Sequence, residues 1–162
     1  MLIGILGDTH NNLANVAKMI EIFERRRVER VVHTGDITQP KVLSALAALS
    51  MPVHAVYGNN DHGERSGLAQ AAEEHGIALA DGPLELQWAD QRILVAHDPL
   101  DLEAHLAPHH TLGIHGHTHL YRHEWVGDTL VFNPGECAGM ISGQNRVGVV
   151  DLTRLHCEIE LF

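Results

Sequence analysis

The sequence predicts an α/β fold, with mixed sheets inside and helices outside. Three observations point there. The chain opens with strand-then-helix patterning repeated three times, it finishes in a β-rich half, and its metal-competent polar groups fall just past the carboxyl ends of the expected strands. A length of 162 residues with 44% hydrophobic and 20% charged content suits one domain, residues 1–162, with a real core. Aromatic residues are only 4%, so that core must be aliphatic.

Residues 2–8, LIGILGD, are an apolar run ending at a turn, the pattern of a short buried strand. Residues 12–27 follow a helical period, with Leu13, Val16, Ala17, Ile20 and Phe23 on one face and ERRR at the polar end. VERVVHTGD is a second buried strand, closing on Gly35-Asp36. Pro40 opens a helix through about Leu49, because proline suits a first helical turn. MPVHAVYGNND is a third strand, closing on Gly58-Asn59, and residues 65–75 read as a helix that Gly76 ends. The pattern then changes. LELQW and RILVAH flank Ala89-Asp90-Gln91 as a hairpin, and residues 100–107 suit a short helix. TLGIHG, YRHEWVG, TLVFNPG, RVGVVDL and LHCEIELF follow as strands joined by tight turns, with no linker, repeat or low-complexity tract.

The candidate site is the set of polar groups at these strand ends: Asp8, His10, Asp36, Asn59, His97, His117 and His119. In open α/β sheets ligands gather at that edge. Two carboxylates, an amide oxygen and four imidazoles, with no thiolate, suit Mn, Fe, Ni, Co or Zn. Seven groups exceed one ion, whereas two ions sharing a carboxylate use all seven. Asp36, from the middle of the three leading strands, is the expected bridge. In an extended strand end, residues i and i+2 point the same way, which would aim Asp8 with His10 and His117 with His119. Taken singly, Asp8 fits a helix N-cap and Asn59 a turn residue; only their combination with the other five points to metal. His115, His33 and His54 read as core histidines, and His105, His109, His110 and His123 as surface or loop residues.

A formal net charge of −10 argues against a grip on nucleic-acid backbone, which needs a basic footprint. Cys137 and Cys157 show neither CxxC spacing nor a disulfide framework, as expected of reduced thiols. The amino terminus lacks a basic region before its apolar stretch, and no apolar run approaches the roughly 18 residues of a membrane span. The expected location is the cytoplasm, with no membrane partner.

In sequence order the motifs read DTH, GDI, GNND, AH and GHTH. This pattern resembles the calcineurin-like metallophosphoesterases, and the short length with FNPGECAG looks like their small YfcE-type phosphodiesterase branch. The resemblance runs from Asp8 to at least Gly135. It implies a four-layer α/β/β/α sandwich and two divalent ions per chain, with Mn the first choice and Fe, Ni or Zn alternatives. One ion would be held by Asp8, His10, Asp36 and His119, the other by Asp36, Asn59, His97 and His117. A metal-bridging hydroxide would attack a small, nucleotide-like or cyclic phosphodiester. Asp36, Asn59, His97 and Asn60 are the residues this implies for catalysis, and self-association into a homo-oligomer is a further expectation from the family.

Three positions depart from the family pattern. Asn60 stands where larger members carry a histidine that assists the leaving group, with His62 the nearest substitute. Asp98 replaces a common glycine and reads best as a helix N-cap, the alternative being an acceptor for a ligand imidazole. Glu136 replaces the usual serine after Asn133-Pro134-Gly135, where it reads as a charge at the substrate mouth or plain surface. Two other functions compete. A protein-interaction scaffold of the Vps29 type shares the fold with an altered metal site, against which the complete ligand set speaks. A nuclease of the Mre11 type is disfavoured by the acidic balance and the lack of an added DNA-binding region.

Overall fold

Short apolar runs form both sheets of the computed structural model, which describes residues 1–162. In chain order the elements are β1 (Leu2–Leu6), α1 (Leu13–Arg26), β2 (Arg30–His33), α2 (Pro40–Leu46), β3 (Val53–Val56), a 3₁₀ turn (Asn59–Glu64), α3 (Arg65–His75) and β4 (Ala78–Ala80). β5 (Leu84–Trp88), β6 (Gln91–Val95), α4 (Pro99–His105), β7 (Leu112–Ile114), β8 (Arg122–Val126), β9 (Thr129–Asn133), β10 (Arg146–Asp151) and β11 (His156–Leu161) follow. One sheet has the order β11-β10-β1-β2-β3-β4, parallel from β1 to β4 with β10 and β11 antiparallel. The other has the order β5-β6-β7-β9-β8, with a parallel centre and antiparallel edges.

The packing makes four layers. Ile3, Ile5, Val32 and Val56 point from the first sheet onto Ile93, Val95, Ile114 and Phe132 of the second. The opposite face of the first sheet lies under α1, α2 and α3, through Leu6, Val31 and Ala55 against Val16, Phe23, Leu43 and Leu68. Leu94, Ala96 and Val131 turn the other way, onto Leu102 of α4. Burial on both faces explains why these strands read as continuous apolar runs rather than as clean alternation. The structure is thus the expected α/β/β/α sandwich of two mixed sheets.

Several local expectations change. The buried face of α1 is Asn15, Val16, Met19, Ile22 and Phe23, while Leu13 and Ala17 are exposed and Ile20 is half-buried. Asn15 is drawn inward because its amide donates to the Cys137 carbonyl at 2.7 Å. α2 ends at Leu46, where its last carbonyls are taken up by a following turn rather than by further helix. β4 was not expected: it has three residues and no alternation, and it exists by pairing with β3. The turn between β5 and β6 is only Ala89-Asp90, both left-handed, the two-residue geometry that matches strand twist. Gly76 ends α3 in the left-handed conformation, as expected.

Candidate metal centre

β1, β2, β3, β6 and β7 all end at one edge, and the loops beyond them bring the seven candidate groups together. Left-handed backbone builds these loops. Asp8, His10, Asp36, His117 and His119 all have φ between 40° and 66°, a region that costs strain in non-glycine residues and collects at functional sites. The spacing of two is therefore correct for a reason other than the extended geometry expected: β1 stops at Leu6 and β7 at Ile114, before the ligand pairs. Backbone bonds stitch the loops together, with Asp8 N–H donating to the Gly35 carbonyl at 3.0 Å and His10 N–H to that of Asp36 at 3.1 Å. Gly58 and Gly116 are there for room: a Cβ on Gly58 would lie 2.2 Å from Asp36 Oδ1, and one on Gly116 2.8 Å from Asp8 Oδ2.

One half of the site is a cluster of acceptors. His97 Nδ1–H donates to the Thr34 carbonyl at 2.9 Å, which leaves Nε2 of the neutral ring with a lone pair. That lone pair faces Asn59 Oδ1 at 2.8 Å, with the amide oxygen turned inward, and His117 Nδ1 lies 3.0 Å from the same oxygen and 3.2 Å from His97 Nε2. Atoms bound to one ion at about 2.1 Å sit about 3 Å from each other. Two facing acceptors with no proton between them repel, and a cation among them removes the repulsion.

The other half joins Asp8, His10 and His119, whose candidate atoms all lie within 4.8 Å of one another. His10 Nε2 is buried without a hydrogen-bond partner, 3.3 Å from Asp36 Oδ2. His119 Nε2 lies 3.8 Å from Asp8 Oδ1, and its Nδ1–H donates to Glu136 at 3.0 Å. Asp36 faces both halves, with Oδ2 toward His10 and Oδ1 3.4 Å from His97 Nε2. Asn60 holds that carboxylate from outside, donating its backbone N–H to Oδ1 at 2.9 Å and its side-chain amide to Oδ2 at 2.7 Å.

Electrostatics follow the crowding. Burial works against the Asp36 charge, yet the imidazole of His10 beside it and donation from Asn60 outweigh it and hold the carboxyl well below the usual range. Asp8 goes the other way, because its deeper burial dominates over the attraction of His97 and His119. The Asp36 carboxylate raises His10. His33, fully enclosed, is pushed down to about 3 by burial, and burial pushes the free Cys137 thiol up to about 12.

Some residues that matter here were not singled out from the sequence. Asp61 is completely buried and accepts from the backbone N–H groups of Asp36 at 3.1 Å, Thr38 at 2.7 Å and Gly58 at 2.6 Å, so one carboxylate ties the β2 loop to the β3 loop. Its signal was the Asp at the end of GNND. Asn133 donates to the Gly116 carbonyl and to Thr118 Oγ1, anchoring the histidine loop. Glu136 is neither at a mouth nor on the surface; it is completely buried against His119. Asp98 is the N-cap of α4, accepting from Leu100 N–H at 2.8 Å. His33 and His115 are buried as expected, while His54 is half-buried against Trp88.

His110 also departs from expectation, being only 2% exposed. With Glu85 and His109 it forms a second cluster of metal-competent side chains, away from the strand ends described above. Its Nδ1 accepts the Ala107 N–H at 2.9 Å, so the neutral ring carries its proton on Nε2, the atom aimed at Glu85, and offers no lone pair there. The strand-end cluster has no such obstacle. Beside it, a cavity of about 220 Å³ is bounded by Asn59 and His97 and by Tyr57, His62, Arg65, Asp81, Asp98 and Asp101.

The chain is similar to known proteins over most of its length. The model of the calcineurin-like phosphoesterase superfamily domain matches residues 1–154. The phosphodiesterase MJ0936 of Methanocaldococcus jannaschii is 36% identical over 155 residues, 93% of each chain. A solved archaeal phosphodiesterase superposes with a TM-score of 0.91 at 34% identity over the whole of both chains. YfcE, a phosphoesterase from E. coli, shares the fold at a TM-score of 0.70 and 22% identity, over 94% of this chain and 89% of that one. Vps29 from Entamoeba histolytica does so at 0.70 and 19%, over 100% and 99%.

Proposed function

Since the chain belongs to the calcineurin-like phosphoesterase superfamily and is a hydrolase of phosphoesters, we propose that it cleaves a small phosphodiester with two divalent ions held at the shared carboxyl edge of its sheets. The observation that carries this is the convergence of His97 Nε2, Asn59 Oδ1 and His117 Nδ1 around one point, with the His97 proton committed elsewhere. In this reading Asp8, His10, Asp36 and His119 hold one ion and Asp36, Asn59, His97 and His117 the other. Bound there, the ions supply an acidified water and positive charge against the phosphoryl oxygens. The oxygen and nitrogen ligand set accepts Mn, Fe, Ni or Zn, and Mn is the first choice.

The chain's own residues do the positioning. Asn60 directs its backbone N–H and its side-chain amide at Asp36, so it orients the carboxylate rather than protonating a leaving group. His62 lines the cavity beside Asn59 and is the side chain placed to protonate a departing alkoxide. With Arg65 paired to Asp81, the remaining Asp98 and Asp101 leave the cavity wall acidic, which disfavours a polyanion and supports a singly charged diester over a nucleic-acid strand. The complete ligand set supports an enzyme over a scaffold of the Vps29 type.

The test is hydrolysis of bis-p-nitrophenyl phosphate and of p-nitrophenyl phosphate by metal-stripped protein, with Mn, Ni, Zn or Mg restored. The expected result is metal-dependent cleavage, faster on the diester and lost in Asp36→Asn. Two ions bound per chain with no turnover of either compound would overturn the enzymatic half of the proposal.

A further inference from the structure

We infer that Glu136 is a positioning residue for one half of the metal centre, an inference that rests on the proposed ligand set. Its carboxylate has two donors. Oε2 accepts from His119 Nδ1–H at 3.0 Å, and Oε1 accepts from Ile141 N–H at 2.5 Å. The first bond fixes the tautomer of His119, because a neutral ring with its proton on Nδ1 presents a lone pair on Nε2, the atom turned toward Asp8.

The approach is built into the chain. Asn133 Oδ1 accepts from Gly135 N–H at 2.8 Å, shaping the turn that delivers Glu136, and Gly135 takes the φ of 107° that this turn requires. The same asparagine donates to the Gly116 carbonyl at 3.1 Å and to Thr118 Oγ1 at 3.2 Å. One side chain therefore sets both the loop that carries His119 and the turn that carries its acceptor. Glu136 is completely enclosed, and the Arg146 N–H fixes its backbone carbonyl at 3.0 Å.

The two halves of the centre thereby become unequal. His97 donates its outer proton to a neutral backbone carbonyl, whereas His119 donates to a carboxylate. A carboxylate behind a ligand imidazole makes it a stronger donor to a cation. The ion beside Asp8 faces two carboxylates directly and a third through His119, so that half holds its ion more tightly than the half built on Asn59, His97 and His117.

Glu136→Gln tests this. Glutamine has one acceptor oxygen for two donors, so either Ile141 N–H or the imidazole loses its partner. If the amide nitrogen turns to His119, the ring proton must move to Nε2. The experiment titrates metal-stripped wild type and variant with Mn²⁺ by calorimetry and reads the His119 ring ¹⁵N shifts in the metal-free proteins. We expect two ions in the wild type, one of them bound 10- to 100-fold more weakly in the variant and the other unchanged, on the scale of losing an imidazole's outer partner. The proton of His119 should sit on Nδ1 in the wild type, and in the variant it should leave Nδ1 wherever the amide nitrogen faces the ring. Two unchanged affinities with an unchanged tautomer would overturn the inference and reduce Glu136 to an anchor for Ile141. A wild type that takes up no ion would overturn the ligand set itself, and the inference with it. Glu136→Ser, too short to reach the ring, serves if the glutamine variant does not fold, and should weaken the same ion.

Discussion

His97 Nε2 and Asn59 Oδ1 face each other at 2.8 Å, while the Thr34 carbonyl accepts the His97 proton on the far side of the ring. A cation placed between these two atoms would be held by both at once. Divalent ions should therefore stabilise the fold strongly. At 100 times its dissociation constant, an ion that binds only the folded state adds about 2.7 kcal/mol, which for a chain of this size raises Tm by about 5–10 °C. Mn²⁺ added to stripped protein should produce a rise of this size for each ion, measured by scanning calorimetry, and His97→Ala should lose the rise from one ion. An equal response in wild type and His97→Ala would remove His97 from the ligand set.

Asp61 should matter as much to folding as any apolar core residue. Its buried carboxylate satisfies three backbone N–H groups from two loops. Asp61→Asn puts an NH₂ where an N–H already points, leaving a donor without a partner in a dry site. The expected cost is about 2–4 kcal/mol, from one lost charge-assisted bond and one unsatisfied group. Urea unfolding of metal-free protein measures it. A loss below about 1 kcal/mol, the ordinary net worth of a single hydrogen bond, would mean that the loops hold their shape without this carboxylate.

If His62 protonates the leaving group, its removal should be felt in proportion to how poor that group is. p-Nitrophenolate leaves without help, whereas an alkoxide does not. His62→Gln should leave bis-p-nitrophenyl phosphate turnover within a fewfold of wild type but slow an alkyl diester by about 10²-fold, the usual scale of general-acid assistance. Equal slowing of both substrates would assign His62 to binding, beside Tyr57 and Arg65 in the same cavity.

The sequence carried the layers and the site unequally. Continuous apolar runs identified the buried strands because burial on both faces leaves no room for polar alternation, as at Ile3 to Leu6. β4 was invisible, since Ala78–Ala80 has no pattern of its own and depends on pairing with β3. The candidate site residues were legible because histidine, aspartate and asparagine at strand ends have few structural uses in such a combination. Their geometry was not: no local rule says that Asp8, His10, His117 and His119 adopt left-handed backbone. Asp61 was missed, and Glu136, though noticed, was misplaced at the mouth or surface, for a related reason. A carboxylate near a turn normally meets water, and only the packing of distant loops shows that these two meet an imidazole and three amides instead.

His33 gives the clearest dependence on pH. It is fully buried, its Nδ1 accepts from Gly35 N–H at 3.1 Å and its Nε2 lies 3.1 Å from Thr9 Oγ1, so the neutral ring is satisfied and a second proton has nowhere to go. Burial lowers its folded-state pKa from 6.5 to about 3. Above pH 6.5 both folded and unfolded states leave the ring neutral, and the group adds no pH dependence. Below pH 6.5 the unfolded state binds a proton that the folded state refuses. Stability then falls by up to about 1.4 kcal/mol per pH unit, and continues to fall as pH approaches the folded value. Between pH 6.5 and 5 the loss from this residue is about 2 kcal/mol. Glutamine can replace both hydrogen bonds but cannot take up a proton. Urea unfolding of metal-free His33→Gln between pH 7.5 and 5 should therefore show a gap to wild type that changes by about 2 kcal/mol in the variant's favour as the pH drops. A gap that stays constant across that range would mean that the folded protein accepts the proton, and that the Thr9 and Gly35 contacts do not hold the ring neutral.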